Sequence, residues 1–273
     1  GQRLQTLDDF SAKERGVTLS PDGALGAAGH TDGTVRLWRA SDGLLLHTLR
    51  GHERAVNGVA FSPDGALLAS AADDKGVRLW DVQEGSLIRS LAEPTAAAYS
   101  VAFSPDGATL AAGFGDGMVH FWQVGDGTPL GSLPAHADEV SNLAYSPDGE
   151  TLATASLGTT VRLWRASDRA PLHDLEGHGG SISGVTFAPD GSLVASTSDD
   201  RTVRLWRVSD GAPLGTCTTP DSPPYFDVAL APDASIVAAA SYGGTIWLWQ
   251  VPDCELLGVL EGHTTHVLSV AFS

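Results

Sequence analysis

Cysteine is scarce: Cys217 and Cys254 are the only two in 273 residues. Two thiols do not make the disulfide framework of a small secreted domain. A reducing, cytoplasmic setting is therefore expected, with the two cysteines unbonded. Long apolar runs are also lacking. None approaches the about 18 residues that would read as a membrane-spanning helix. No charged-then-apolar leader opens the chain. It begins with Gly1 rather than Met, as a piece excised from a larger multidomain chain would. Cations are few, with 16 Lys and Arg against 33 Asp and Glu, a formal charge of −17 and a pI near 4.6. Nucleic acids and anionic membranes call for clustered Lys and Arg, so neither is expected as the main partner.

Apolar residues make up 42% of the chain, enough for a core and too many for a disordered segment. The length fits one large domain or two ordinary ones, and one domain over 1–273 is expected because a single repeat runs through it. Ser20-Pro21-Asp22-Gly23 recurs from Ser62, Ser104 and Ser146, then as Ala188-Pro-Asp-Gly and Ala231-Pro-Asp-Ala, and Ser273 falls on the next beat. The steps are 42, 42, 42, 42, 43 and 42 residues, and Trp38, Trp80, Trp122, Trp164, Trp206 and Trp249 keep the same rhythm. A fixed period of this size marks a repeat architecture.

One period holds four strand signals, here lettered a to d. Residues 56–61 (VNGVAF) read as strand a. SPDG is a tight turn, with Pro presetting φ at its second position and Gly suited to its fourth. Residues 67–71 (LLASA) read as b, GVRLWDV as c and 86–91 (SLIRSL) as d. Four short strands per repeat without helical periodicity predict an all-β propeller. Blades are expected over roughly 13–49, 55–91, 97–133, 139–175, 181–217 and 224–260. A lone d-like strand (2–7) precedes them and a lone a-like strand lies at 266–272 in a partial blade, 266–273. The arithmetic suggests a seven-bladed ring lacking about 25 residues, by the repeat period. Six blades with frayed ends, or a cut from a longer array, remain alternatives.

A Gly-His pair before strand a, the SPDG turn, an Asp before strand c and a Trp ending it together resemble the WD-repeat (WD40) family, over essentially the whole chain. Only Trp80-Asp81 is a literal WD; Arg39, Gln123, Arg165, Arg207 or Gln250 follows the other five. The resemblance implies a structural network of His, Ser or Thr, Asp and Trp in each well-kept blade. Blade two has His52, Ser70, Asp74 and Trp80. Blade five has His178, Ser196, Asp200 and Trp206. Blade four has His136, Thr154 and Trp164, with Gly158 in place of Asp. Blade three keeps Asp116 and Trp122 beside Pro94 and Ala112. Blade one keeps Asp32 and Trp38 beside Phe10 and Ala28. Blade six keeps Trp249 alone, with Pro220, Ala239 and Gly243. Such sets satisfy buried polar groups. They are not read as catalytic triads, which need an exposed nucleophile beside an oxyanion site.

Other polar residues also read as structural. His30, His47, His120 and His173 are expected at the surface or between blades. Arg36, Arg78, Arg162 and Arg204 are expected to lay their stems over neighbouring blades with heads at the rim. Cys217 stands where Leu ends most d strands, and Cys254 falls on a c–d turn. His263 and His266 form too sparse a pattern for a metal site.

Family resemblance further implies a partner-binding mouth on the end bearing the d–a and b–c loops, lined by three positions per blade. These are Lys13, Arg15 and Thr31; Ala55, Asn57 and Asp73; Ala97, Tyr99 and Gly115; Glu139, Ser141 and Leu157; Ser181, Ser183 and Asp199; Pro224, Phe226 and Tyr242; then His266 and Leu268. Tyr99, Phe226 and Tyr242 are three of only twelve Phe and Tyr residues, and aromatics in exposed pockets are common binding anchors. The loops 92–100 and 218–226 have lost His and gained Pro and an aromatic. The expected partner is a protein or peptide, with a basic residue among Asp73, Glu139 and Asp199. No cofactor is expected. The function implied is a non-catalytic scaffold or sensor module. Its Ala-, Gly- and Asp-rich composition suggests a bacterial signalling protein. The alternative is a propeller enzyme, such as a lactonase-like hydrolase, using channel carboxylates.

Overall fold

The computed structural model describes residues 14–91, 96–220 and 222–272. They form two compact units, one up to Ser132 and one from Leu133 to Phe272. All regular structure is β, in six four-stranded sheets.

Unit one carries three of these sheets. The first is β1 (Glu14–Leu19), β2 (Leu25–His30), β3 (Thr34–Arg39) and β4 (Leu45–Arg50). The second is β5 (Val56–Phe61), β6 (Leu67–Ala72), β7 (Val77–Asp81) and β8 (Ser86–Ser90). The third is β9 (Ala98–Phe103), β10 (Thr109–Phe114), β11 (Met118–Gln123) and β12 (Pro129–Pro134), whose end crosses into unit two. Unit two adds β13 (Val140–Tyr145), β14 (Thr151–Ser156), β15 (Thr160–Arg165) and β16 (Pro171–Glu176). Its second sheet is β17 (Ile182–Phe187), β18 (Leu193–Ser198), β19 (Val203–Arg207) and β20 (Pro213–Cys217). Its third is β21 (Tyr225–Leu230), β22 (Ile236–Ser241), β23 (Ile246–Gln250) and β24 (Leu256–Leu260). Each sheet is an antiparallel meander in chain order, a propeller blade with strands a to d.

Turn chemistry fixes this pattern. Ser62 Oγ donates to Asp64 Oδ1 at 2.5 Å and accepts from Leu67 N, while Asp64 accepts from Ala66 N. Ser20, Ser104 and Ser146 build the same turn with Asp22, Asp106 and Asp148. In blades five and six the first residue is Ala. There a hydroxyl from the other side, Ser192 or Ser235, donates to Asp190 or Asp233 instead. The fourth position needs a left-handed backbone, with φ 68° to 74° at Gly23, Gly65, Gly107, Gly149 and Gly191, and 57° at Ala234.

Neighbouring blades share cores. Val77, Leu79 and Leu91 of blade two meet Val101, Phe103, Leu110 and Trp122 of blade three. Within unit one the same kind of core joins blades one and two, and within unit two it joins four to five and five to six. The b strands lie between two such cores, so they are built of small residues such as Ala69, Ser70 and Ala71, all fully buried.

Three expectations meet the structure here. Residues 266–272 are not a strand: no described strand pairs with them, and a strand needs a ladder partner. Residues 2–7 and Lys13 lie outside the described residues. Cys217 and Cys254 are not free but form a disulfide, with Cα atoms 4.7 Å apart. The repeat supplies the reason. A Cβ on Gly127 or Gly211 would meet Leu91 or Leu175 of the preceding d strand. Cys217 takes the place of those Leu residues in its own repeat, and Cys254 takes the matching left-handed turn position, with φ 57°. The contact that is Leu against Gly at those two turns is here Cys against Cys. This pairing also withdraws the cysteine argument for a reducing compartment.

Candidate functional site

Polar networks hold the loops at one end of blades two and five. A Trp indole can only donate, which orders the chain of bonds. In blade two Trp80 Nε1 donates to Ser70 Oγ at 2.8 Å, and Ser70 lies 2.7 Å from His52 Nε2. That leaves His52 Nδ1–H for Asp74, 2.9 Å away. Asp74 also accepts from Glu53 N, Gly76 N and Arg78 Nη1, so one carboxylate ties the d–a loop to the b–c turn. Blade five repeats this, with Trp206 on Ser196, His178 on Ser196 and Asp200, and Thr202 Oγ1 donating to Asp200 at 2.7 Å. In blade four Thr154 links Trp164 and His136 without an Asp. Burial holds His52 and His136 at a pKa of about 4 and lowers that of His178, so all three are neutral near pH 7. Despite their own burial, Asp74 and Asp200 titrate below the usual carboxylate range, because hydrogen bonds favour the charged form.

Blades without this network fill its space with rings. In blade three His120 stacks on Trp122 and meets Phe114 edge-on. In blade six Trp247 stacks on Trp249 and Tyr225 meets it edge-on, fully buried. His120 and Trp247 occupy the position that is Arg in the other four blades. Two of those Arg heads turn inward rather than to a rim: Arg36 pairs with Asp32 and Arg78 with Asp74. His47 and His173 pack against Gly85 and Gly211 of the next c–d turn, and His30 is buried beside Trp38.

Five backbone hydrogen bonds gather the positions expected at the mouth. Asp73, Gly115, Leu157, Asp199 and Tyr242 donate their N–H to the carbonyls of Ala55, Ala97, Glu139, Ser181 and Pro224. Each blade from two to six therefore brings its d–a loop and b–c turn to one end. In unit one, Asn57 Nδ2 donates to Asp73 Oδ1 at 2.7 Å and to Ala98 O at 2.9 Å. Tyr99 lies over Gly115, where a Cβ would come within 3.2 Å of its ring. Arg15 stands in β1, and Thr31 is exposed on the turn after β2. In unit two, Ser141 and Ser183 donate to Ile182 O and Tyr225 O, both at 2.6 Å. Asn57, Ser141 and Ser183 thus act as couplers between blades.

Blade six departs from this pattern. Its coupler position is Phe226, which cannot donate. Phe226 stacks on Tyr242, with ring centroids 3.6 Å apart and planes inclined by 22°. The His266 ring lies 5.2 Å from Tyr242 and 6.1 Å from Phe226, and His266 Nδ1 is hydrogen-bonded to Tyr242 O. Tyr242 remains 39% exposed. Burial, then the nearby Asp199 charge, raises its pKa. Asp199 is itself exposed, and partial burial with the Asp200 charge raises its pKa. Glu139, half-buried, ends the d–a loop of blade four.

Asp227 was not anticipated. It stands where blades two to five have Gly58, Ser100, Asn142 and Gly184, and that substitution was the available signal. Its Oδ2 accepts from Ser269 Oγ at 2.6 Å and Val270 N at 3.0 Å, and burial raises its pKa. With Val267 N donating to Ser241 O, this seats 266–272 along β21 without a ladder.

Six antiparallel four-stranded blades, with shared cores between neighbours inside each unit and Trp-centred networks inside blades two, four and five, define a WD-type propeller protein. The chain belongs to the WD40 family: the model described as WD domain, G-beta repeat matches residues 1–39, 43–81, 85–123, 127–165, 169–207 and 211–250. WD40 domains generally mediate protein–protein interaction and are typically non-catalytic. A search of curated proteins found no match. Among the described residues no helix is long and apolar enough to cross a membrane, and no group of three or more His, Cys, Asp or Glu is placed to hold a metal.

Proposed function

We propose that this chain is a non-catalytic interaction module that holds a short peptide or loop of another protein on the loop end of its blades. In unit two the site centres on Phe226, Tyr242 and His266, with Asp199 taking a basic side chain of the partner. One observation carries this reading. Where the neighbouring blades use a hydroxyl to bind the next blade, blade six instead stacks two rings, one of them exposed. Rigid aromatics lose little conformational entropy on binding, and a carboxylate beside them favours a cationic guest. The coupler roles of Asn57, Ser141 and Ser183 leave those residues less to offer a partner. Tyr99 over Gly115 is the unit-one counterpart, to be tested separately.

Peptide-display selection on the intact protein tests the proposal. Selected peptides should carry a basic residue next to an apolar one. Phe226→Ala with Tyr242→Ala should weaken them by about tenfold or more, typical of losing a hot spot, at an unchanged melting temperature. Full affinity in that double variant refutes the reading.

A further inference from the structure

In the well-kept blades a polar network holds the d–a loop to its own blade. In blade five His178 Nδ1 and Gly179 N both reach Asp200, at 2.9 and 2.8 Å, and His178 Nε2 lies 2.8 Å from Ser196 Oγ. Blade six has none of these anchors. Pro220 stands for His, Ala239 for Ser and Gly243 for Asp, and among the described residues Trp249 Nε1 finds no acceptor. Its loop makes longer bonds: Ser222 N to Thr219 O at 3.3 Å, Ser222 Oγ to Arg201 O at 3.4 Å and Tyr242 N to Pro224 O at 3.1 Å.

What this loop has instead is covalent. Cys217 ends β20 directly before it, and the disulfide to Cys254 ties that end to the turn between β23 and β24. β20 seats closely on that turn, since a Cβ on Gly215 would stand 2.7 Å from Pro252 O and 3.2 Å from Cys254 Sγ. At its far end the loop runs into Tyr225, buried edge-on against Trp249, and Phe226, which stacks on Tyr242. Of the blades that lack the His–Asp anchor, blade six is the one whose loop is rooted in a disulfide, and it is the one that carries the stacked rings.

We infer that the Cys217–Cys254 disulfide is a redox switch on the aromatic site. Oxidised, it fixes the root of the loop and holds Phe226 in its stack with Tyr242. Reduced by a dithiol, it frees the loop, and the site loses affinity for its peptide. The inference rests on the reading of Phe226 and Tyr242 as that peptide's site. Cys217 is sealed from solvent and Cys254 is part-exposed on its turn, so an incoming thiolate attacks Cys254 Sγ. A mixed disulfide forms there, and Cys217 leaves as a thiolate and takes up a proton. The second thiol of the reductant then displaces Cys254, which is protonated in turn. Two electrons pass to the protein, and the reductant leaves as its own disulfide.

Two measurements on the whole chain, oxidised or reduced with dithiothreitol, test this. Hydrogen exchange needs no ligand. Reduction should speed exchange at Ser222–Asp227 and Tyr242 by a larger factor than in Val140–Tyr145 of blade four, which reports the stability of the fold. Equal factors overturn the inference. Binding is then read with a display-selected peptide. The reduced chain should bind it about fivefold or more weakly, the lower end of coupling between two sites. Cys217→Leu with Cys254→Gly, the pair that stands at two other turns, should not respond to dithiothreitol. An equal response in that variant overturns the inference, because the reductant would then act elsewhere. An affinity indifferent to redox state that Phe226→Ala with Tyr242→Ala still loses overturns the switch alone. Full affinity in that double variant overturns the site and the switch together.

Discussion

At the scale of single residues, a strict repeat turns each departure into an experiment with its own controls. Ala234 holds a left-handed φ of 57° where five blades have Gly. Left-handed backbone is disfavoured by about 1 kcal/mol or more for a residue with a Cβ. Ala234→Gly should therefore raise the unfolding free energy by about 1 kcal/mol, read as a higher urea midpoint at unchanged slope. His178→Ala leaves Ser196 and Asp200 short of a partner and should destabilise by about 1–3 kcal/mol in the same assay. The four network positions were legible through the resemblance to the WD40 family, and the 42-residue beat carries them from blade to blade. Asp227 and the Cys217–Cys254 pair were not. Spacing gives equivalence between blades, but which residue of one blade touches which residue of the next follows from blade packing alone.

Strands and loops respond to pH through the same networks. In the unfolded chain His titrates near 6.5, whereas burial lowers it to about 4 at His52 and His136 and also lowers it at His178. Between those values the unfolded state binds the extra protons. The stabilisation from neutral His is thus complete above pH 6.5 and is lost as pH falls toward 4. For His52 and His136 the limiting slope between the two pKa values is about 1.4 kcal/mol per pH unit each. Asp74 and Asp200, titrating low when folded, add a further loss once pH drops below the unfolded carboxylate range. Urea midpoints at pH 7, 5.5 and 4.5 check this, and a flat profile over that window contradicts it. Strand spans were readable almost to the residue, since each strand is bracketed by Gly- or Asp-bearing turns. The 266–272 segment was misread for a physical reason: its apolar pattern specifies an inner strand, but pairing needs a neighbour that the pattern cannot supply.

For the molecule as a whole, two features act across blades. The disulfide joins blade five to blade six with a sequence separation of 37 residues. Closing a loop of that length restricts the unfolded chain, so reduction or Cys254→Ser should lower stability by about 2–4 kcal/mol, checked by melting with and without reductant. The charge of −17 acts at longer range. It should speed capture of a basic peptide, and the association rate should fall as salt is raised. Hydrogen exchange of the chain with and without a display-selected peptide tests the central claim most directly. The account predicts protection around Tyr225–Asp227, Tyr242–Gly244 and His266–Leu268. Protection confined to the outer strands, such as Leu45–Arg50 or Leu256–Leu260, would contradict it.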